Sequence, residues 1–205
     1  MSEDSPQGSE DAAWVTIETP YNAAELRSFL ADVERLYRIN SQLVFEEWRQ
    51  TGENQYSLKA KNLSNDRLIE TGLEVEPADD GITVRYSHGL RKATAFRVEA
   101  QPGGTAKLVV TDDYSGSSLS EREARIDEVD KSLVQWGENL YRYLGRWKRW
   151  SWVPGWKFYM RRVWQPMKPS ARRIAFMLIV VTVAEFVVFL FVFTIFWLEM
   201  GRSLN

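Results

Sequence analysis

The sequence predicts an α+β domain, built from antiparallel strands and amphipathic helices and followed by a single membrane-spanning helix. Three observations predict it: alternating apolar and polar segments separated by short turn signals, a long helical stripe from Leu119 to about Trp147, and an apolar run from Ile174 to Trp197 interrupted by one charge, Glu185. A chain of 205 residues has room for one domain of ordinary size plus such an anchor.

The acidic lead over residues 1–13 has no apolar pattern and is expected to be disordered; it also lacks the apolar core of a signal peptide. Trp14 to Glu18 (WVTIE) alternates and reads as a strand. Pro20 and Asn22 then introduce Leu26, Phe29, Leu30, Val33 and Leu36 at helical spacing, which predicts one or two short helices. Next come paired β segments: LVFEEWRQ and QYSLKAKNL about the turn TGEN, RLIETGLEVEPADDGITVRYSH about ADDG, and TAFRVEAQPGGTAKLVVTDDYS about QPGG. Together they predict an antiparallel meander of about six strands. In the long helix, Ile126, Val129, Leu133, Trp136, Leu140, Leu144 and Trp147 recur at alternating steps of three and four, so one face must cover something apolar.

The order strand, paired helices, meander, long helix resembles the START-like superfamily, also called SRPBCC, the helix-grip or polyketide cyclase-like fold. The resemblance spans residues 14–148 and rests on element order, with no short motif to quote. It implies a curved antiparallel sheet wrapped on the long C-terminal helix and an internal cavity for an apolar ligand such as a lipid, isoprenoid or quinone. Bulky residues of the sheet and helix are the expected lining: Trp48, Tyr56, Leu58, Val84, Tyr86, Phe96, Val98, Val110, Tyr114, Val129, Leu133 and Trp136. No cofactor is expected beyond such a bound lipid or quinone.

Several chemistries are excluded by inventory. With no cysteine and a single histidine, His88, the chain can form no disulfide, thiolate nucleophile or multi-histidine metal site. Phosphate-loop, dinucleotide and hydrolase-elbow motifs are also missing. His88, with Tyr86, Ser87 and Arg91 close in sequence, is the one candidate general base, but its SHG context is a turn, where a histidine is ordinarily solvated. The pairs Glu46-Glu47 and Asp112-Asp113 are expected to be solvated surface, since alternation sends adjacent strand carboxylates to opposite faces. Binding is therefore the first expectation; a cyclase or isomerase in the same cavity is the enzymatic alternative.

The formal charge of −2 hides a segregation. Residues 1–140 hold 26 acids and 15 bases, a net of −11, whereas residues 141–173 hold 10 bases and no acid. Because the basic block abuts an apolar run, its expected partner is a surface of anionic lipid headgroups rather than nucleic acid. Over residues 149–173, and from Trp147 just before them, tryptophans and cations mix: Trp147, Trp150, Trp152, Trp156, Arg161, Arg162, Trp164, Lys168, Arg172 and Arg173. Trp156, Tyr159, Met160, Val163 and Trp164 form the stripe of a short amphipathic helix, which is expected to lie in the membrane interface. The span itself is assigned to residues 174–198 and the tail to 199–205. Cations before the span and only Arg202 after it place the domain on the cytoplasmic side, as in a bacterial inner membrane. Within the span, Glu185 would cost roughly 2.5–3.5 kcal/mol to insert, so it is expected either to be neutral and hydrogen-bonded within its own helix or to pair with another transmembrane helix. An accessory subunit docked through Glu185 is thus a further expectation.

Overall fold

The computed structural model describes residues 12–115 and 126–203. Strand β1 (Ala12–Thr19) leads into helix α1 (Ala23–Leu30), whose start is set by a reciprocal cap. The Asn22 side chain accepts the Glu25 N–H at 2.8 Å, and the Glu25 carboxylate accepts the Asn22 N–H at 3.1 Å. Helix α2 (Val33–Arg38) follows, capped by Asp32. The meander is β2 (Leu43–Gly52), β3 (Gln55–Asn62), β4 (Leu68–Ala78), β5 (Gly81–Tyr86), β6 (Ala93–Ala100) and β7 (Ala106–Asp113). Four of its turns fall at the sequence signals TGEN, ADDG, SHG and QPGG, and residues 63–67 join β3 to β4.

With β1 returning to pair with β7, the sheet has seven strands in the order β1-β7-β6-β5-β4-β3-β2, every pair antiparallel. The register slips at Glu46, between the pairs Phe45↔Ala60 and Glu47↔Lys59. Such a bulge sharpens the local twist that lets a sheet curl. It also leaves Glu46 and Glu47 both exposed, in keeping with the solvated role expected of them.

Helix α3 (Ile126–Trp150) closes the concave face. Its Leu133, Trp136, Leu140, Tyr143 and Leu144 are buried with Val84, Phe96, Val98, Leu108 and Val110 of the sheet and Leu26, Leu30 and Leu36 of the paired helices. The part of the expected helix before Ile126 lies outside the described residues, as does the acidic lead up to residue 11. Gly137 seats α3 on β1: a Cβ there would meet Val15 Cγ2 at 2.9 Å.

Beyond α3 the chain turns at Gly155 (φ 79°) into a short helix α4 (Trp156–Tyr159) that continues as a π-helical turn (Met160–Trp164). Here the structure corrects one expectation. Met160 is 4% exposed, and Trp156, Tyr159 and Trp164 pack against the domain core, so the amphipathic stripe has protein, not lipid, as its apolar partner. The first compact unit accordingly runs to Pro166.

The second unit begins at Met167 and contains helix α5 (Pro169–Ser203). Ser170–Met200 is long and apolar enough to cross a membrane: 31 residues, with an 18-residue stretch of mean hydropathy 2.8, spanning about 46 Å at 1.5 Å per residue. Lys168, Arg172 and Arg173 stand at its N-terminal end, and Glu185 lies within it.

Replacing Gly137 by leucine is expected to lever α3 off β1 and cost on the order of 1–3 kcal/mol. Thermal unfolding of the full-length protein in detergent checks this; an unchanged melting temperature would mean that α3 does not need the close approach to Val15.

Candidate ligand cavity

A cavity of about 320 Å³ opens where α2, the β3–β4 connection, the β5–β6 loop and α3 meet. Its apolar wall includes Leu43, Leu58, Ile69, Leu90 and Trp136, and its polar end is formed by Tyr37, Tyr86 and Arg91. The β5–β6 loop is held by Thr71 of β4, a 5% exposed hydroxyl that donates to the His88 carbonyl at 2.9 Å and accepts the His88 N–H at 3.1 Å. Ser87 adds an acceptor for the Gly72 N–H at 2.7 Å. Gly89 (φ 123°) completes the turn in a conformation that favours glycine.

Behind the polar end runs a chain of hydrogen bonds. Tyr37 and Tyr86 hydroxyls lie 2.5 Å apart, Tyr86 and Thr94 hydroxyls 2.9 Å apart, and Thr94 donates to Asp112 Oδ1 at 2.5 Å. Arg91 Nη1 and the Tyr114 hydroxyl both donate to Asp112 Oδ2, each at 3.2 Å. Each hydroxyl owns one proton, so the directions are determined from the carboxylate outward. Thr94 gives its proton to Asp112, hence Tyr86 must donate to Thr94 and Tyr37 to Tyr86. The relay therefore spends the Tyr37 proton inward and leaves its oxygen as an acceptor.

Charge is arranged to keep that direction. Burial raises the Tyr37 phenol well above its ordinary range, with the Tyr86 oxygen adding to it. Burial likewise raises Tyr86, and raises Tyr114 with help from the Asp112 carboxylate. For Arg91, burial opposes the charge, and Asp112 more than restores it. The three phenols stay neutral and Arg91 stays charged.

Of the twelve residues expected to line a cavity, Leu58, Tyr86 and Trp136 do so. Val84, Phe96, Val98, Val110 and Leu133 are filled core, none more than 6% exposed. Trp48 and Tyr56 pack with tilted rings, centroids 5.4 Å apart, and Trp48 reaches Tyr37 at 5.7 Å; neither lines the cavity. Tyr114 supports Asp112; Val129 lies on α3, with its side chain outside the described residues. His88 borders the cavity but is exposed, its Nδ1 2.9 Å from Ser87 Oγ, and it has no carboxylate partner among the described residues.

Asp112 is a second correction. Expected as solvated surface, it is 0% exposed, because β7 runs between β1 and β6 and three donors meet its carboxylate. The signal was the register Thr94↔Asp112, which only the strand pairing reveals.

Comparison with family models and with curated proteins finds no match. Among solved structures, a START superfamily protein from Mycobacterium smegmatis aligns with a TM-score of 0.51 at 15% identity, covering 66% of this chain and 98% of its own. The domain has the START-like helix-grip fold. The Zhui aromatase/cyclase from Streptomyces sp. R1128 aligns with a TM-score of 0.49 at 16% identity, over 70% of this chain and 97% of its own. At such identities the likeness is one of fold, and the START-like domain's chemistry rests on its own residues.

Asp112→Asn keeps the shape but removes the charge that balances Arg91, and is expected to cost roughly 3–5 kcal/mol, read as a lower melting temperature at neutral pH. Alkali has a definite sign as well. Above about pH 10 the unfolded chain releases phenolic protons that the folded START-like domain retains on Tyr37, Tyr86 and Tyr114. Stability should then fall by about 1.4 kcal/mol per pH unit for each retained proton, and less steeply in Tyr37→Phe. Equal slopes in the two proteins would remove Tyr37 from the set.

Proposed function

We propose that the START-like domain binds a hydrophobic molecule with one polar end, of the lipid, isoprenoid or quinone class, and that α5 fastens it to a membrane as a carrier for that molecule. The observation that carries the reading is the make-up of the cavity: Leu43, Leu58, Ile69, Leu90 and Trp136 supply apolar wall, the Arg91 donor and the Tyr37 acceptor form its polar end, and Asn40, Arg67 and Glu70 also border it. A volume of about 320 Å³ is at the small end of ligand sites, which run from roughly 300 to 1,000 Å³. It suits a ring or head whose tail leaves past the rim. Leu68, on that rim and 55% exposed, is a surface such a tail would cover.

The tether supports the same reading, since a membrane-anchored domain is confined where apolar molecules are concentrated. Cytoplasmic placement follows from the cations at residues 168–173. Trp150 and Trp152, 42% and 76% exposed, are the juxtamembrane tryptophans free to meet headgroups. A second reading, docking into a membrane complex, is favoured by Glu185, the one carboxyl in the apolar run from Ile174 to Trp197.

Native mass spectrometry with lipid extraction on the full-length protein in detergent distinguishes the two. A stoichiometric apolar ligand, displaced by the cavity-filling Leu58→Trp and weakened by about tenfold in Tyr37→Phe, is the expected result. An empty protein that brings down membrane proteins, and loses them on Glu185→Leu, would shift the assignment to the docking role.

A further inference from the structure

A second pocket, of about 350 Å³, lies away from the cavity, between α2 and the segment that follows α4. Four arginines line it, Arg35 and Arg38 from α2 and Arg161 and Arg162 from the π-helical turn, against two carboxylates, Asp32 and Glu34. The carboxylates are already engaged: Glu34 pairs with Arg38 at 2.6 Å, and Asp32 with Arg161. Arg35 and Arg162 have no carboxylate partner among the described residues, so the pocket carries an excess of two positive charges.

Arg35 is the unusual member. It is 7% exposed, which is rare for an arginine without a counterion. Its guanidinium carbon lies 4.0 Å from the Trp147 ring centre, 4.7 Å from Phe29 and 5.2 Å from Tyr143, and its Nε donates to the Tyr143 hydroxyl at 3.0 Å. The aromatic faces offset part of the cost of burying the charge. Its buried Nη2, however, has no hydrogen-bond acceptor among the described residues. A cation held rigidly in a low-dielectric cage projects its field into the adjoining pocket, where water screens it little.

We propose that this pocket binds a phosphate-bearing anion, Arg35 supplying fixed charge and the exposed Arg162 supplying directional N–H donors. Guanidinium groups match phosphate oxygens as planar forks, and the cations gathered here are all arginine. Both a lipid phosphate headgroup and a soluble phosphate present that chemistry. Bound between the two arginine pairs, the anion joins α2 to the segment that leads to α5, in addition to the Asp32–Arg161 link. This site shares no residue with the hydrophobic cavity and stands without it.

The test is a titration of the full-length protein in non-ionic detergent, followed by calorimetry and by tryptophan fluorescence, which Trp147 on Arg35 should report. The probes are inorganic phosphate, dihexanoyl phosphatidic acid and, as zwitterionic control, dihexanoyl phosphatidylcholine. Saturable binding of the first two, weakened about tenfold by Arg162→Gln and more by Arg35→Gln, is expected. Leu58→Trp should leave it unchanged. Arginine-dependent binding of phosphatidic acid alone would assign the site to a lipid headgroup, and of both to phosphate in general. Because Arg35→Gln also loosens the aromatic cage, Arg162→Gln on the surface decides: no binding of either probe, or binding unaffected by Arg162→Gln, overturns the proposal.

Discussion

The indole of Trp136 is where helix, sheet and cavity meet. It is 2% exposed, its ring stands 5.4 Å edge-on from Phe96 of β6 and 5.2 Å from Tyr37 of α2, and its Nε1 donates to the Leu36 carbonyl at 3.2 Å. That hydrogen bond satisfies the indole's only donor and uses a carbonyl near the C-terminal end of α2, where intrahelical partners run out. One side chain thus fixes the long helix against the sheet and holds α2 at a set distance from both. The remaining space, bounded by Trp136 on one side and the β5–β6 loop on the other, becomes the cavity. Without such a large, hydrogen-bonded ring the concave face would have to be filled by smaller groups, and the position of Tyr37 would no longer be determined.

The buried Arg35 and the part-buried Arg91 show how differently this fold compensates charge. Arg91 lies 5.8 Å from the Tyr86 ring centre and donates to Asp112, so its charge is matched by a fully buried carboxylate. That match allows Asp112 to orient Thr94, Tyr86 and Tyr37 in one direction, because Thr94 spends its one proton on the Asp112 carboxyl and leaves no choice to the hydroxyls behind it. Arg35 has the aromatic faces and a phenol but, among the described residues, no carboxylate. The first arrangement makes a polar end of definite hydrogen-bonding sense inside the domain; the second leaves positive potential beside an open pocket. Stability alone explains the first, since every group is satisfied, but not the second, since a leucine or methionine at position 35 would fill the same cage without the cost of burying a charge.

The element order was legible because it depends on local rules: alternation for strands, Gly and Asn/Asp at tight turns, and three-four spacing in α3. Site residues were less so. Alternation distinguishes the inward face of a strand from the outward one, yet Val84 and Phe96 face inward beneath α3 and Leu58 faces inward beside the gap. Only the crossing of α3 separates those cases, and no sequence interval encodes it. Tyr37 was overlooked since a short helix with Leu36 beside it reads as ordinary core. Asp112 was misjudged for a related reason: its partners Thr94 and Arg91 are some twenty residues away, brought opposite by the β6–β7 register.

The Trp-rich segment between α3 and α5 shows the limit of composition itself. A stripe of Trp, Tyr and Met between arginines is suited equally to a bilayer interface and to a protein groove, because both offer an apolar surface beside anions. What decides is whether the domain has an unmet need for those aromatics, and it does. Arg35 requires π faces, Trp147 supplies the nearest, and Tyr143, which accepts from Arg35, in turn packs against Trp147 at 5.9 Å and Trp164 at 6.3 Å. Trp150 lies 5.9 Å from Trp156 yet stays 42% exposed, and Trp152 and Phe158 are exposed to 76% and 68%. The tryptophan cluster is therefore divided by the buried cation: rings within reach of Arg35 and its phenol belong to the domain, and the turn between α3 and α4 keeps its apolar side chains available for a surface outside it.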